Sequence, residues 1–149
     1  MFKKNTNSPE IFDNESGYLG FLLRKTSHVY RLKMERVLAE YSITPPQFTI
    51  LKIILTYPGF TNAEIARFAS LTPQTVNLMI SKLEKQNILY KTSHSTNKKI
   101  QLIEISDLGK KLMEDCGDAI DRLEDSLVDG FSESEIRIVR NWMKKINEE

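Results

Sequence analysis

Two helix-start signals fall eleven residues apart, at Thr61 and Thr72, leaving room between them for one short helix and a turn. Thr61-Asn62-Ala63-Glu64 fits a capping box, in which the threonine hydroxyl accepts from the third helical N–H and the glutamate reaches back. Thr72-Pro73 pairs a hydroxyl cap with a proline at the first helical position, where its missing N–H costs nothing. The first helix turns Ile65, Phe68 and Ala69 inward. The second runs to about Gln86, with Val76, Met79, Ile80 and Leu83 at i, i+3, i+4 and i+7. Two capped helices across a tight turn make a helix-turn-helix. A β-prone run, Ile88–Thr92, follows at once, then a polar basic stretch from His94 to Lys99. A second β-prone run carries Ile100, Leu102, Ile103 and Ile105. Two such runs around a six-residue loop predict a hairpin. A helix-turn-helix followed by a basic hairpin is the winged-helix arrangement.

The flanks are helical. Leu19, Leu22, Val29, Tyr30, Val37, Leu38 and Tyr41 recur at helical spacing and predict one long helix over about 12–41. A second opens at Thr44-Pro45, turns Phe48, Leu51, Ile54 and Leu55 inward, and stops before Tyr57-Pro58-Gly59, because Pro58 disfavours helix at the residue before it. After the hairpin, Ser106 caps a long helix with Leu108, Leu112, Cys116, Ile120, Leu123 and Leu127 on one face, and Gly130 provides its stop. Ser132-Glu133-Ser134-Glu135 is another capping box, opening a last helix with Ile136, Val139, Met143 and Ile146 inward. The expected fold is mainly α with a small β-hairpin wing (α+β). Residues 1–10 read as a disordered tail, 42–107 as the winged helix-turn-helix, and 11–41 with 108–149 as a helical dimerisation region of one compact chain. Composition agrees: Gly and Pro together are only 11 of 149 residues, which disfavours a turn-rich all-β fold.

Charge is neutral overall, at +1, and uneven along the chain. Residues 65–103 carry Arg67, Lys82, Lys85, Lys91, Lys98 and Lys99 against one acid, Glu84, whereas 104–149 carry a net −6. A basic middle in a neutral chain points to a local polyanion-binding surface. One cysteine excludes an internal disulfide and any multi-cysteine metal site. No apolar run approaches the ~18 residues of a membrane span, and the polar start lacks the apolar core of a secretion signal. A cytoplasmic protein with no membrane partner, no cofactor and no metal is expected.

The winged arrangement gives these residues a physical use. The second helix can enter the ~12 Å major groove, whose base edges present a distinct donor and acceptor pattern. Its outward positions are Thr72, Gln74, Thr75, Asn77, Leu78, Ser81, Lys82 and Lys85. Gln and Asn suit adenine, and lysines suit phosphates. The wing residues His94, Ser95, Thr96, Asn97, Lys98 and Lys99 would reach the adjacent backbone or minor groove. Double-stranded DNA is the expected partner, in a sequence-specific transcriptional regulator. The competing reading is a winged-helix protein-interaction scaffold, for which the basic middle has no purpose.

The segments ITPPQFTILKIIL, TNAEIARFASLTPQTVNLMISKLEKQNIL and IEISDLGKKL, in that order and spacing, resemble the multiple antibiotic resistance regulator (MarR) family of winged-helix transcription factors over nearly the whole chain. The resemblance implies a homodimer with interlocking terminal helices, each subunit presenting a recognition helix and wing to half of a pseudo-palindrome, more often as repressor than activator. Leu123, Leu127, Ile136, Val139 and Met143 are the expected dimer residues. It also implies a small aromatic or anionic effector between the dimer helices and the winged domain, where His28, Arg31, Phe48, Lys52, Leu112 and Cys116 are the candidates. Two positions depart from the family. Its wing commonly carries Asp-x-Arg where this chain has Asn97, Lys98 and Lys99, and lysine lacks arginine's planar fork. Leu78 stands where an arginine is common; leucine can meet a thymine methyl and cannot bind phosphate.

Other signals are weak. Ser95-Thr96-Asn97-Lys98 matches the S-x-x-K of acylating serine enzymes without its companion motifs, and no nucleophile–base pair or phosphate loop is visible, so no enzyme is expected. Cys116 and His28 lie on or near apolar stripes, which suits a small buried hydrophobe and a structural histidine.

Overall fold

In the computed structural model, which describes residues 7–93, 96–97 and 101–148, capping residues set where each helix begins. Helix α1 spans Leu19–Ala39, α2 Pro45–Thr56, α3 Asn62–Ala69 and α4 Pro73–Lys85. Strands β1 (Leu89–Ser93) and β2 (Gln101–Ile105) form an antiparallel hairpin, followed by α5 (Asp107–Val128) and α6 (Glu133–Asn147). Full capping boxes close the N-termini of α2 (Thr44/Gln47), α3 (Thr61/Glu64) and α6 (Ser132/Glu135). Each satisfies two backbone donors that the first helical turn leaves without partners. In the α6 box, the Ser132 N–H donates to Glu135 and holds its carboxyl below the usual range.

Helix α2 is the hub. Pro45, Gln47, Phe48, Ile50, Leu51, Ile53 and Ile54 are all buried, and the helix packs against α1, α3, α4, α5 and β2. A helix apolar nearly all round has to be central. The core around it draws on Leu38, Ile65, Val76, Ile80, Leu83, Leu89, Ile105, Met113, Cys116 and Ile120. The hairpin register pairs Leu89 with Ile105 and Lys91 with Ile103.

Several expectations are corrected. The tail reading of 1–10 ends too late: Pro9–Phe12 is a 3-10 helix capped by Ser8, and the Phe12 ring meets Phe21 edge-on with centroids 4.8 Å apart. Residues 1–6 lie outside the described residues. Helix α1 begins at Leu19 instead of near residue 12, because Asp13 Oδ1 accepts from the backbones of Glu15 (2.9 Å) and Ser16 (2.7 Å) and folds that stretch into a turn. Leu19, Val29 and Leu55 are exposed, as is Phe68, which meets Tyr57 at a tilt and Phe60 edge-on at the surface while Ile65 and Ala66 enter the core. On α5 the buried stripe is Gly109, Met113, Cys116 and Ile120, which leaves Leu108 and Leu127 exposed. Gly109 sets this rotation, since it is the residue that abuts the Ile88 carbonyl just before β1 and the Ile105 side chain of β2. Helix α6 buries no residue, and it has no extensive packing partner among the described residues.

Candidate nucleic-acid interface

Helix α4 is held by one face and open on the other. Val76, Ile80 and Leu83 are completely buried, and a left-handed Ser70 (φ 55°) turns the chain from α3 into it. Gln74, Asn77, Leu78, Ser81, Lys82 and Lys85 are exposed along the opposite face. At its start, the Thr72 hydroxyl accepts from the Thr75 N–H (3.2 Å) and lies 2.8 Å from the Thr75 hydroxyl, so both threonines fix the first turn. Asn62 on α3 donates its side-chain N–H to Asn77 Oδ1, which orients the Asn77 amide from the neighbouring helix. This support was not foreseen. Its only trace in the sequence is a polar residue just after the α3 cap. Lys82 and Lys85 occupy the last turn, where cations also oppose the negative end of the helix dipole.

Beside α4, the hairpin carries Lys91 on β1, exposed, and α3 adds exposed Arg67. Tyr90 donates to Glu104 across the strands at 2.7 Å, and that bond raises its phenol above the ordinary value. Thr96 and Asn97 are exposed; His94, Ser95, Lys98 and Lys99 lie outside the described residues. The sequence thus spoke for the face of α4 but not for its bracing.

The other candidates divide. Of the expected dimer residues, Leu123 packs partly on the core and Ile136 is half-buried, while Leu127, Val139 and Met143 are exposed. Trp142 and Ile146 extend the same open stripe on α6 and were legible from its helical spacing. Of the expected effector residues, Phe48 and Cys116 belong to the core, Leu112 is half-buried, and His28, Arg31 and Lys52 are exposed. Arg31 pairs with Glu35 and lies 3.3 Å from His28 Nδ1. Tyr30 on α1 donates to Glu124 on α5, and burial together with this bond pushes its phenol up. A cleft of about 330 Å³ between α1 and α5 is lined by Val37, Glu40, Tyr41, Ala119, Arg122 and Leu123. It shares none of the expected effector positions. No helix is long and apolar enough to cross a membrane, and no metal-ligand cluster occurs, among the described residues.

Helix-turn-helix plus antiparallel wing, set between helices of opposite chain ends, defines a winged helix-turn-helix protein. Residues 43–100 match the MarR family model. The HTH-type transcriptional repressor Rv2887 of Mycobacterium tuberculosis is 39% identical over 66 residues, 44% of this chain and 48% of that protein. The chain thus spans about half the length of that relative. Among solved structures, the S. aureus MepR–DNA complex superposes with a TM-score of 0.80 at 25% identity, over 87% of this chain and 94% of that one. Rv2887 in complex with p-aminosalicylic acid gives 0.69 at 23% identity, over 89% of this chain and 100% of that one. The match to the MarR family model is centred on the winged helix, and over that part the chain is similar to the family.

Proposed function

We propose that this protein is a homodimeric, sequence-specific DNA-binding regulator, acting in the cytoplasm as a ligand-responsive repressor on a pseudo-palindromic operator. The observation that carries the reading is the polar and basic face of α4, exposed from Gln74 to Lys85 on a helix whose other side is locked into the core. A rigid helix with such a face, next to a basic hairpin, suits the major groove with the hairpin on the flanking backbone. Supporting it are a relative named as a transcriptional repressor and a similar fold solved on DNA. The open apolar stripe of α6 supports the homodimer, because an amphipathic helix with no extensive partner among the described residues of its own chain buries its face against another. A small aromatic carboxylate is the effector class, as in the Rv2887 complex.

The test is selection of bound duplexes from a random pool, followed by a salt titration of the enriched sequence. A dimer making 6–10 phosphate contacts loses roughly 10³- to 10⁵-fold in affinity between 50 and 200 mM salt. Weak binding that is flat across that range would favour the interaction-scaffold reading.

A further inference from the structure

Leu78 is 58% exposed in the middle of the face that α4 offers. Its neighbours one turn away on the same stripe are Gln74, Ser81 and Lys82, all polar and all exposed. The residues that anchor α4 to the core, Val76, Ile80 and Leu83, point the other way, and Leu78 is not part of the hydrophobic core among the described residues. Branched and unable to hydrogen-bond, it can discriminate only through apolar contact. Along the major groove, the apolar group that distinguishes one base pair from the rest is the thymine C5-methyl; the other marks of identity are donors and acceptors. Asn77, beside it, has its Oδ1 turned to Asn62, and its Nδ2 has no partner among the described residues, which suits an acceptor such as thymine O4 or guanine O6.

We infer that Leu78 is a specificity-determining residue whose side chain seats on a thymine methyl in each operator half-site, so that this protein reads one T·A pair per half-site by shape and apolar contact. The inference rests on the regulator reading above and names the substrate feature that the recognition helix selects. It also predicts that Leu78 adds nothing to the salt dependence, since it neutralises no phosphate.

The experiment uses the full chain and the enriched operator, with each thymine replaced in turn by deoxyuridine, symmetrically in both half-sites. At one position per half-site, loss of the methyl should weaken wild-type binding roughly fourfold per half-site, the worth of one buried methyl-sized group. The same replacement should cost Leu78→Ala nothing, because the partner of the methyl is already gone. Restoring a methyl by 5-methylcytosine in a C·G-substituted site should recover affinity for the wild type but not for Leu78→Ala. Indifference to every thymine methyl, or a methyl effect that persists in Leu78→Ala, overturns the inference while leaving the regulator reading intact. Failure to enrich any duplex overturns both.

Discussion

Gly109, in the first turn of α5, faces the carbonyl oxygen of Ile88 so closely that a Cβ there would lie 2.2 Å from it. The approach is clasped by Ser106. Its Oγ donates toward the carbonyls of Asn87 (2.6 Å) and Ile88 (3.0 Å) and accepts from Gly109 N–H at 3.1 Å. This joint docks the wing against the long helix. Gly109→Ala should therefore force the strand and helix apart and lower stability by about 1–3 kcal/mol, as overpacking does. Gly117, on the same helix with open space around its missing Cβ, should instead gain up to about 1 kcal/mol as alanine. Denaturant midpoints of the two variants give the comparison, and equal effects would contradict the close approach.

On the proposed reading, Lys82 and Lys85 meet phosphates and Gln74 a base edge, all three being exposed on α4. Lys82→Ala and Lys85→Ala should each weaken binding to all duplexes and reduce the magnitude of the log K against log salt slope by about 1, or 2 counting both subunits. Lys98→Ala and Lys99→Ala are expected to do the same from the wing. Gln74→Ala should relax preference at one defined position at a cost of about 1–3 kcal/mol, with the slope unchanged. Isotherms on operator and random DNA separate the two patterns.

Val139 and Met143 are exposed on α6, whose apolar stripe has no extensive partner among the described residues. Val139→Glu with Met143→Glu should yield a folded monomer. The operator affinity should fall by orders of magnitude, since a single half-site forfeits the linked second contact. Sedimentation velocity at micromolar concentration reads the first outcome. A wild-type chain that sediments as a monomer would count against the dimer.

An aromatic carboxylate at millimolar concentration should weaken operator binding by about 5- to 150-fold, the span of an allosteric coupling of ~1–3 kcal/mol. Arg31→Ala should blunt this response while leaving effector-free affinity within a few-fold. If calorimetry across a panel of phenolic and carboxylate compounds shows no binding, the ligand-gated reading falls.

Cys116 is wholly buried on α5, and burial raises its thiol above the ordinary value. A raised pKa means the fold favours the neutral thiol. Its contribution to stability is therefore complete below the unfolded-state pKa and declines as pH climbs through the thiol range. The native thiol should resist alkylation at pH 8 and react at the rate of a free cysteine once the chain is unfolded. Rapid labelling of the native protein would show that the α5 face opens.

Local chemistry was readable in one dimension because its partners are three or four residues apart. The capping pairs Thr44/Gln47, Thr61/Glu64 and Ser132/Glu135, the proline starts at Pro45 and Pro73, and the glycine stop at Gly130 (φ 82°) all stand where their spacing demands. The buried stripe of α4 was equally plain, and with it the face left outward. What the sequence could not decide was rotation and partnership. Whether Phe68, Leu55 or Leu108 faces the core depends on where a neighbouring element sits, and the Gly109–Ile88 contact turns α5 so that Met113 goes in and Leu108 stays out. The Asn62–Asn77 bond joins residues fifteen apart on different helices, so only the packing of α3 on α4 brings it about. Helical period tells which residues share a face; a buried surface exists only once a second surface covers it, and no element among the described residues packs extensively over the stripe of α6.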